Sequence, residues 1–489
     1  MVFNSYSFLL FFPIVLVLTQ LAPAKWRNGL LLVASYVFYA SWGKRFCVLL
    51  LGLTVLVYAA GLLLGQKKQR WLFWLGLGGT LGALLVYKYL DFGLYSINAL
   101  TRALGLGEPM PRVSLLQPAG ISFFTFQAAG YLIDVYRSKY KPEKNFLRFA
   151  LFVSFFPQLL SGPIGRGDQL LPQYERPKKA DFDALRRGFL TMTWGFFLKL
   201  CIADRAAVLV NTVYENYESY SGIFLVFATA VYALQIYGDF AGYSYMAIGG
   251  AEMLGIHLPK NFDTPYFAQS VQEFWRRWHI SLSSWFRDYV YIPLGGSRCA
   301  AWKKYRNVFI VFLVSGLWHG ALWTFVLWGA IHGFYQIFGA VTKPLREKAL
   351  DGLRVNRQAA SYKLFRMVIT FALVDFAWLF FRAEGLDIAA AMVKRIVTGL
   401  HPEELPEELV GQYYTMGLDP QDFWALLLCT AVLLLVDGLQ YRGKDLKKWF
   451  ASQNWLFREL ALAVILLTIF IFGIWGNGYD ASSFIYFKF

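Results

Sequence analysis

The sequence predicts an all-α, polytopic membrane protein, and three observations predict it. Of 489 residues, 57% are hydrophobic and 19% aromatic, more than a soluble chain of this length ordinarily carries. Apolar runs such as GIFLVFATAVYALQIY, WALLLCTAVLLLV and ELALAVILLTIFIFGIW recur along the chain, each close to the ~20 residues that a membrane-crossing helix needs. The excess of 47 basic over 31 acidic residues is concentrated between those runs, the pattern of cytoplasmic loops between spans.

Taken in order, the first run, YSFLLFFPIVLVLTQLA, precedes an APA triplet that resembles a cleavage site. Met1 to Ser5 carry no Lys or Arg, and a signal peptide uses a positive start, so this run reads as a retained span. Crossings follow at 6–22, 28–42, 46–65, 71–90, 115–135, 188–204, 222–240, 307–322, 323–340, 366–382, 422–438 and 456–475. That is about twelve helices, ten to thirteen at the bounds, with both termini extracytoplasmic. The run at 149–163 holds two prolines and a glycine between basic loops and reads as re-entrant. Cytoplasmic loops are QKKQR, RSKYKPEKNFLR, YERPKKADFDALRR, KPLREKALDGLRVNR and YRGKDLKKW; His401 to Phe423, acidic and without Lys or Arg, belongs outside. Loop charge accounts for the basicity, and nucleic acid is not needed to explain it.

No polar segment is long enough for a detachable domain, so residues 1–489 read as a single transmembrane domain. It carries an interfacial cytoplasmic region at 257–306 and an aromatic tail at 476–489. No internal repeat of the kind secondary transporters show is evident. Cys47, Cys201, Cys299 and Cys429 are scattered without C-x-x-C or a nearby His at ligand spacing, which supports neither a metal site nor a disulfide.

Chemistry concentrates in Glu273 to Gly296, EFWRRWHISLSSWFRDYVYIPLGG. On a helical period Trp275, His279, Leu282 and Phe286 share a face, leaving Arg276, Arg277, Arg287 and Asp288 on a narrow wet side. The segment reads as an interfacial helix with His279 inward, ended by Pro293, Gly295 and Gly296. A lone inward histidine is more often a hydrogen-bonded core residue than a catalyst. His319, in VSGLWHGALWTF, changes that balance, because an ionisable residue inside a span is by default a functional candidate. His332 lies thirteen residues beyond His319 and falls on roughly the opposite face of a continuous helix. His257 and His401, at an interfacial turn and in the acidic loop, take solvated or structural roles.

With these residues on the page, the chain resembles the membrane-bound O-acyltransferases, specifically the bacterial branch of alginate O-acetylation and teichoic acid D-alanylation. The likeness runs through GISFFTFQAAGYLIDVYR, FFPQLLSGPIGR, LKLCIADR, QIYGDFAGYSYMAIG, FWRRWHISLSSWFRDYVYIPLGGSR, GLWHGALWTFVLWGAIHG, DFAWLFFRAE and SFIYFKF. Tyr245 departs from it, standing where that branch carries aspartate in YSDMAIG. The resemblance implies a fold around a central tunnel, a place in the bacterial cytoplasmic (inner) membrane, His319 as catalytic histidine, His279 as second polar residue of the tunnel and Asp239 as a supporting acid. It implies acetyl-CoA or another acyl thioester as donor, and an extracytoplasmic acetyltransferase partner.

Charge then suggests Arg276, Arg277, Arg298, Lys303 and Lys304 for the donor phosphates, with the Gly295–Gly296 amides adding donors. His319 would be the general base; His279 would orient the donor or stabilise charge at the carbonyl oxygen. Tyr486, in the Phe-rich tail, is a candidate acyl relay; membrane-interface anchoring explains the same tail. D-alanyl transfer and a transporter or flippase are the alternative functions. The last would call for more ionisable groups inside spans than His319, Asp239, Asp375 and Asp437.

Overall fold

The computed structural model describes every residue except 112, 114, 407–415 and 475–489. Among the described residues all regular elements are helices, and helix occupies each of the twelve predicted crossings. Among the described residues seven helices have the length and apolarity to span by themselves, so span length supports seven crossings of the twelve expected. Their outward faces carry Leu10, Val48, Trp74, Leu435 and Phe470, each more than half exposed. Water would not tolerate such a surface, and lipid covers it at no cost. The protein is a multi-pass membrane protein.

The chain forms two compact units. The first comprises residues 1–192 and 243–259. In it α1 (Tyr6–Leu21), α2 (Ala24–Ala40), α3 (Lys44–Gln66), α4 (Arg70–Ala103) and α5 (Ile121–Tyr136) follow one another closely. Ser5 caps α1 by accepting from the Phe8 amide. The stretch read as re-entrant is α6 (Phe146–Ser154) and α7 (Phe156–Leu159), broken at Phe155 and almost wholly buried. Nine residues of helix rise only ~13 Å, too little to cross. Next come α8 (Gly167–Glu175) and α9 (Phe182–Phe196).

The second unit comprises, among the described residues, 193–242 and 260–474. Past the end of α9 the helix widens into a π-turn at Phe197–Ala203, then continues as α10 (Asp204–Glu215); α11 (Gly222–Met253) follows. Short α12 (Val271–Arg277) and α13 (Ile280–Phe286) lead into a second π-turn, Arg287–Tyr291. Then come α14 (Ala301–His319), α15 (Trp323–Val341), α16 (Lys343–Gly352), α17 (Ala360–Arg382), α18 (Leu386–Thr398), α19 (Pro420–Tyr441), α20 (Leu446–Ser452) and α21 (Trp455–Phe472).

Polar ties hold this unit. Arg205 bonds Asp422 at 3.0 Å and the Phe472 carbonyl at 2.7 Å, joining α10, α19 and α21. Tyr237 donates to Asp437 at 2.8 Å, joining α11 and α19. Tyr237 and Asp437 are both buried, and in a bilayer such a pair has no water to turn to, so pairing is obligatory.

Candidate functional site

The site is built on the α14–α15 hairpin. Gly316 and Gly329 let the two backbones touch: a Cβ on Gly316 would lie 2.3 Å from the Phe325 carbonyl oxygen, and one on Gly329 2.3 Å from that of Phe312. His319 is the last residue of α14, and Gly320 leaves the helix in extended backbone. The ring is 3% exposed. It meets Trp318 at 4.9 Å, Trp328 at 5.0 Å and Phe381 at 5.3 Å, all near edge-to-face.

Because the chain reverses between α14 and α15, the rotation that would put His332 on the opposite face does not apply. His332 meets Trp328 at 4.9 Å, so that one indole touches both imidazoles. Trp275 Nε1 donates to His332 Nδ1 at 3.2 Å. An indole N–H only donates, so His332 carries its proton on Nε2.

His279 arrives from another direction. The single helix expected through Glu273–Gly296 breaks at this residue, which takes left-handed backbone, φ 43 and ψ 55, as N-cap of α13. Helical spacing therefore does not relate Trp275 to Leu282 and Phe286. The break turns His279 fully inward, 0% exposed, with its ring 4.6 Å from Phe240 and 5.8 Å from Trp318. Trp318 thus contacts both His279 and His319, which brings the two predicted histidines into one aromatic cluster. Burial lowers the His279 pKa from its ordinary 6.5 to about 3, so the ring is neutral.

Asp239 neighbours Phe240 but is committed elsewhere. Lys199 Nζ lies 2.6 Å from Asp239 and 2.8 Å from Asp204, all three side chains no more than 6% exposed. The π-turn aims Lys199 at α11, and the triad fixes the element that carries Phe240.

The proposed donor-binding cations separate into two groups. Arg276, Arg298, Lys303 and Lys304 are exposed. Arg277 is not available: its guanidinium bonds Glu273 at 2.9 Å, the Asp263 carbonyl at 3.0 Å and Thr264 at 3.2 Å, and lies over Tyr441. The Gly295 and Gly296 amides are likewise spent, on the Ile292 and Tyr291 carbonyls. Lys303 and Lys304 begin the helix that His319 ends. Sixteen residues of rise put that basic end ~24 Å along the axis from the imidazole. The strand of chain from His279 to Leu294 runs back along α14, since Asn307 donates to the Leu294 carbonyl at 2.9 Å.

Sequence reasoning missed Trp328 and Phe381 as walls of the site, Lys199 as partner of Asp239, and Asn261, which bonds His279. A lysine inside the apolar run FFLKLCIA was a visible signal; the others carried none. Among the described residues no cluster of His, Cys, Asp and Glu has the arrangement of a metal site. Tyr486 lies outside the described residues.

His279 and His319 are thus buried against one indole, Trp318, with cations at the far end of the helix that His319 ends. The model of the membrane-bound O-acyltransferase family matches residues 141–374. A probable alginate O-acetylase of Pseudomonas putida is 43% identical over 399 residues, 80% of this chain and 79% of that protein. A peptidoglycan O-acetyltransferase of Helicobacter pylori is 35% identical over 77% of this chain and 74% of its own length. A teichoic acid D-alanyltransferase of Streptococcus thermophilus is 31% identical over 55% of this chain and 69% of its own. The chain belongs to the membrane-bound O-acyltransferase family, and it is an acyltransferase.

Proposed function

We propose that the protein takes an acetyl group from cytoplasmic acetyl-CoA and passes it through a tunnel to an acceptor, or to an acetyltransferase partner, outside the cytoplasmic membrane. The product is an O-acetylated cell-envelope polysaccharide. The observation that carries this reading is His319, buried among aromatic rings at the end of a helix whose other end is basic.

The chemistry requires that arrangement. The acceptor hydroxyl loses its proton to His319 while its oxygen attacks the thioester carbonyl; the C–O bond forms, the C–S bond breaks, and the proton leaves with the thiolate. General-base assistance of this kind is worth ~10²–10⁴-fold. The carbonyl end of α14 favours positive charge as it develops on the ring. Phosphates are costly to desolvate and stay at the basic end with Arg298, Lys303 and Lys304, Arg276 assisting, while a neutral thioester arm spans the distance inward.

Higher identity to the acetylating relatives than to the D-alanylating one supports acetyl as the group moved. Deleting the gene and measuring ester-linked acetate on each envelope polymer tests the reading. One polymer should lose its acetate, regain it with the wild-type gene, and not regain it with His319→Ala. Unchanged acetate on every polymer would contradict it.

A further inference from the structure

His279 has a hydrogen-bond partner that decides its protonation. Asn261 Oδ1 lies 3.1 Å from His279 Nδ1, 3.2 Å from the Ser281 amide nitrogen and 2.8 Å from Ser281 Oγ. A backbone N–H can only donate, so the Asn261 atom it meets is the carbonyl oxygen and not the amide nitrogen. An oxygen facing Nδ1 can only accept, so Nδ1 carries the ring proton. The lone pair is then on Nε2, away from Asn261. The Asn261 carbonyl also accepts from the Ile280 amide at 2.9 Å. One residue therefore grips positions 279, 280 and 281, the turn in which His279 adopts left-handed backbone. Asn261 is 1% exposed and Ser281 5%, so water does not compete for these bonds.

We propose that Asn261 is the positioning residue that fixes His279 as the Nδ1–H tautomer, so that His279 serves the reaction as a proton acceptor at Nε2. This reverses the role its position alone suggests. A neutral imidazole whose only N–H is held by Asn261 has no hydrogen left to give a thioester oxygen. Two acceptor imidazoles on one indole fit a passage in which a hydroxyl proton is taken from one side and a thiol proton returned on the other. The catalytic half of the proposal rests on the acyl-transfer reading; the tautomer does not.

The test uses the full-length protein in detergent with ¹⁵N-labelled histidine, the His279 signals being those lost in His279→Gln. Wild type should show a protonated Nδ1 and an unprotonated Nε2, and Asn261→Ala should shift the ring toward the other tautomer. A proton on Nε2 in wild type would overturn the proposal whatever the activity. With acetyl-CoA as substrate, Asn261→Ala should lower kcat about 10–100-fold with little change in KM, the usual scale for removing a histidine's orienting partner. Asn261→Asp, which can accept the same bonds, should restore most of that loss. If Asn261→Asp keeps the Nδ1–H form yet is as slow as Asn261→Ala, the catalytic half falls. Absence of turnover in wild type with the Nδ1–H form present would count against acyl transfer and support the tautomer assignment.

Discussion

His279 shows why a residue type alone does not give its role. Its backbone sits in a region that costs a non-glycine residue of order 1–3 kcal/mol, and its ring is buried neutral. The second fact has a pH consequence. The unfolded chain binds a proton at this residue below about pH 6.5, whereas the folded site does not until about pH 3. Stability contributed here is therefore complete above about 6.5 and is lost as pH falls through that window, by up to ~1.4 kcal/mol per unit. Thermal unfolding from pH 7.5 to 5 should show a fall that is shallower in His279→Gln; identical slopes would contradict burial as neutral imidazole. Both histidines were legible in the sequence because an ionisable group in an apolar run is conspicuous. Asn261 was not, because its meaning lies in contacts 18 and 20 residues away, and Arg277 was misread because Asp263 and Tyr441, which occupy it, are remote in the chain.

At the scale of elements, each apolar run read as a crossing overlaps helix, since length and hydropathy are local properties. Breaks were harder. The interruption at His279 needs a left-handed residue held by tertiary bonds, and no proline or glycine announces it there. The turn at Gly320 falls between the crossings read at 307–322 and 323–340, and the reversal there brings His332 beside Trp328. Two predictions belong to these elements. Gly316→Val puts side-chain atoms where the Phe325 carbonyl lies and should destabilise the α14–α15 hairpin by about 2–3 kcal/mol, with loss of acetyl transfer. A wild-type unfolding temperature in that variant would mean that the hairpin is not closely packed. Lys199→Met leaves Asp204 and Asp239 buried together without their cation. Breaking such an ion cluster costs ~3–5 kcal/mol, and the measured shift should be well above that of a lipid-facing substitution such as Phe470→Leu.

For the whole molecule, charge and hydropathy sufficed for the class, an all-α multi-pass membrane protein, and the motif string sufficed for the family. What they could not supply is the division into two units, which depends on contacts rather than on any linker. The proposed function assigns the basic end of α14 to the donor and the imidazole at its other end to the chemistry. Replacing Arg298, Lys303 and Lys304 together by Gln should raise KM for acetyl-CoA about tenfold, an effect weakened by salt, with kcat little changed. Equal KM values would place the phosphates elsewhere. If Tyr486 relays the acyl group, Tyr486→Phe should abolish ester transfer to the polymer while sparing thioester cleavage; unchanged esterification leaves the tail as an anchor. The most direct measurement gives purified protein labelled acetyl-CoA and follows thioester cleavage in wild type and His319→Ala. Catalysis by a buried imidazole predicts turnover in wild type and a loss of at least about a hundredfold in a variant that folds normally. Equal rates in the two proteins would contradict it.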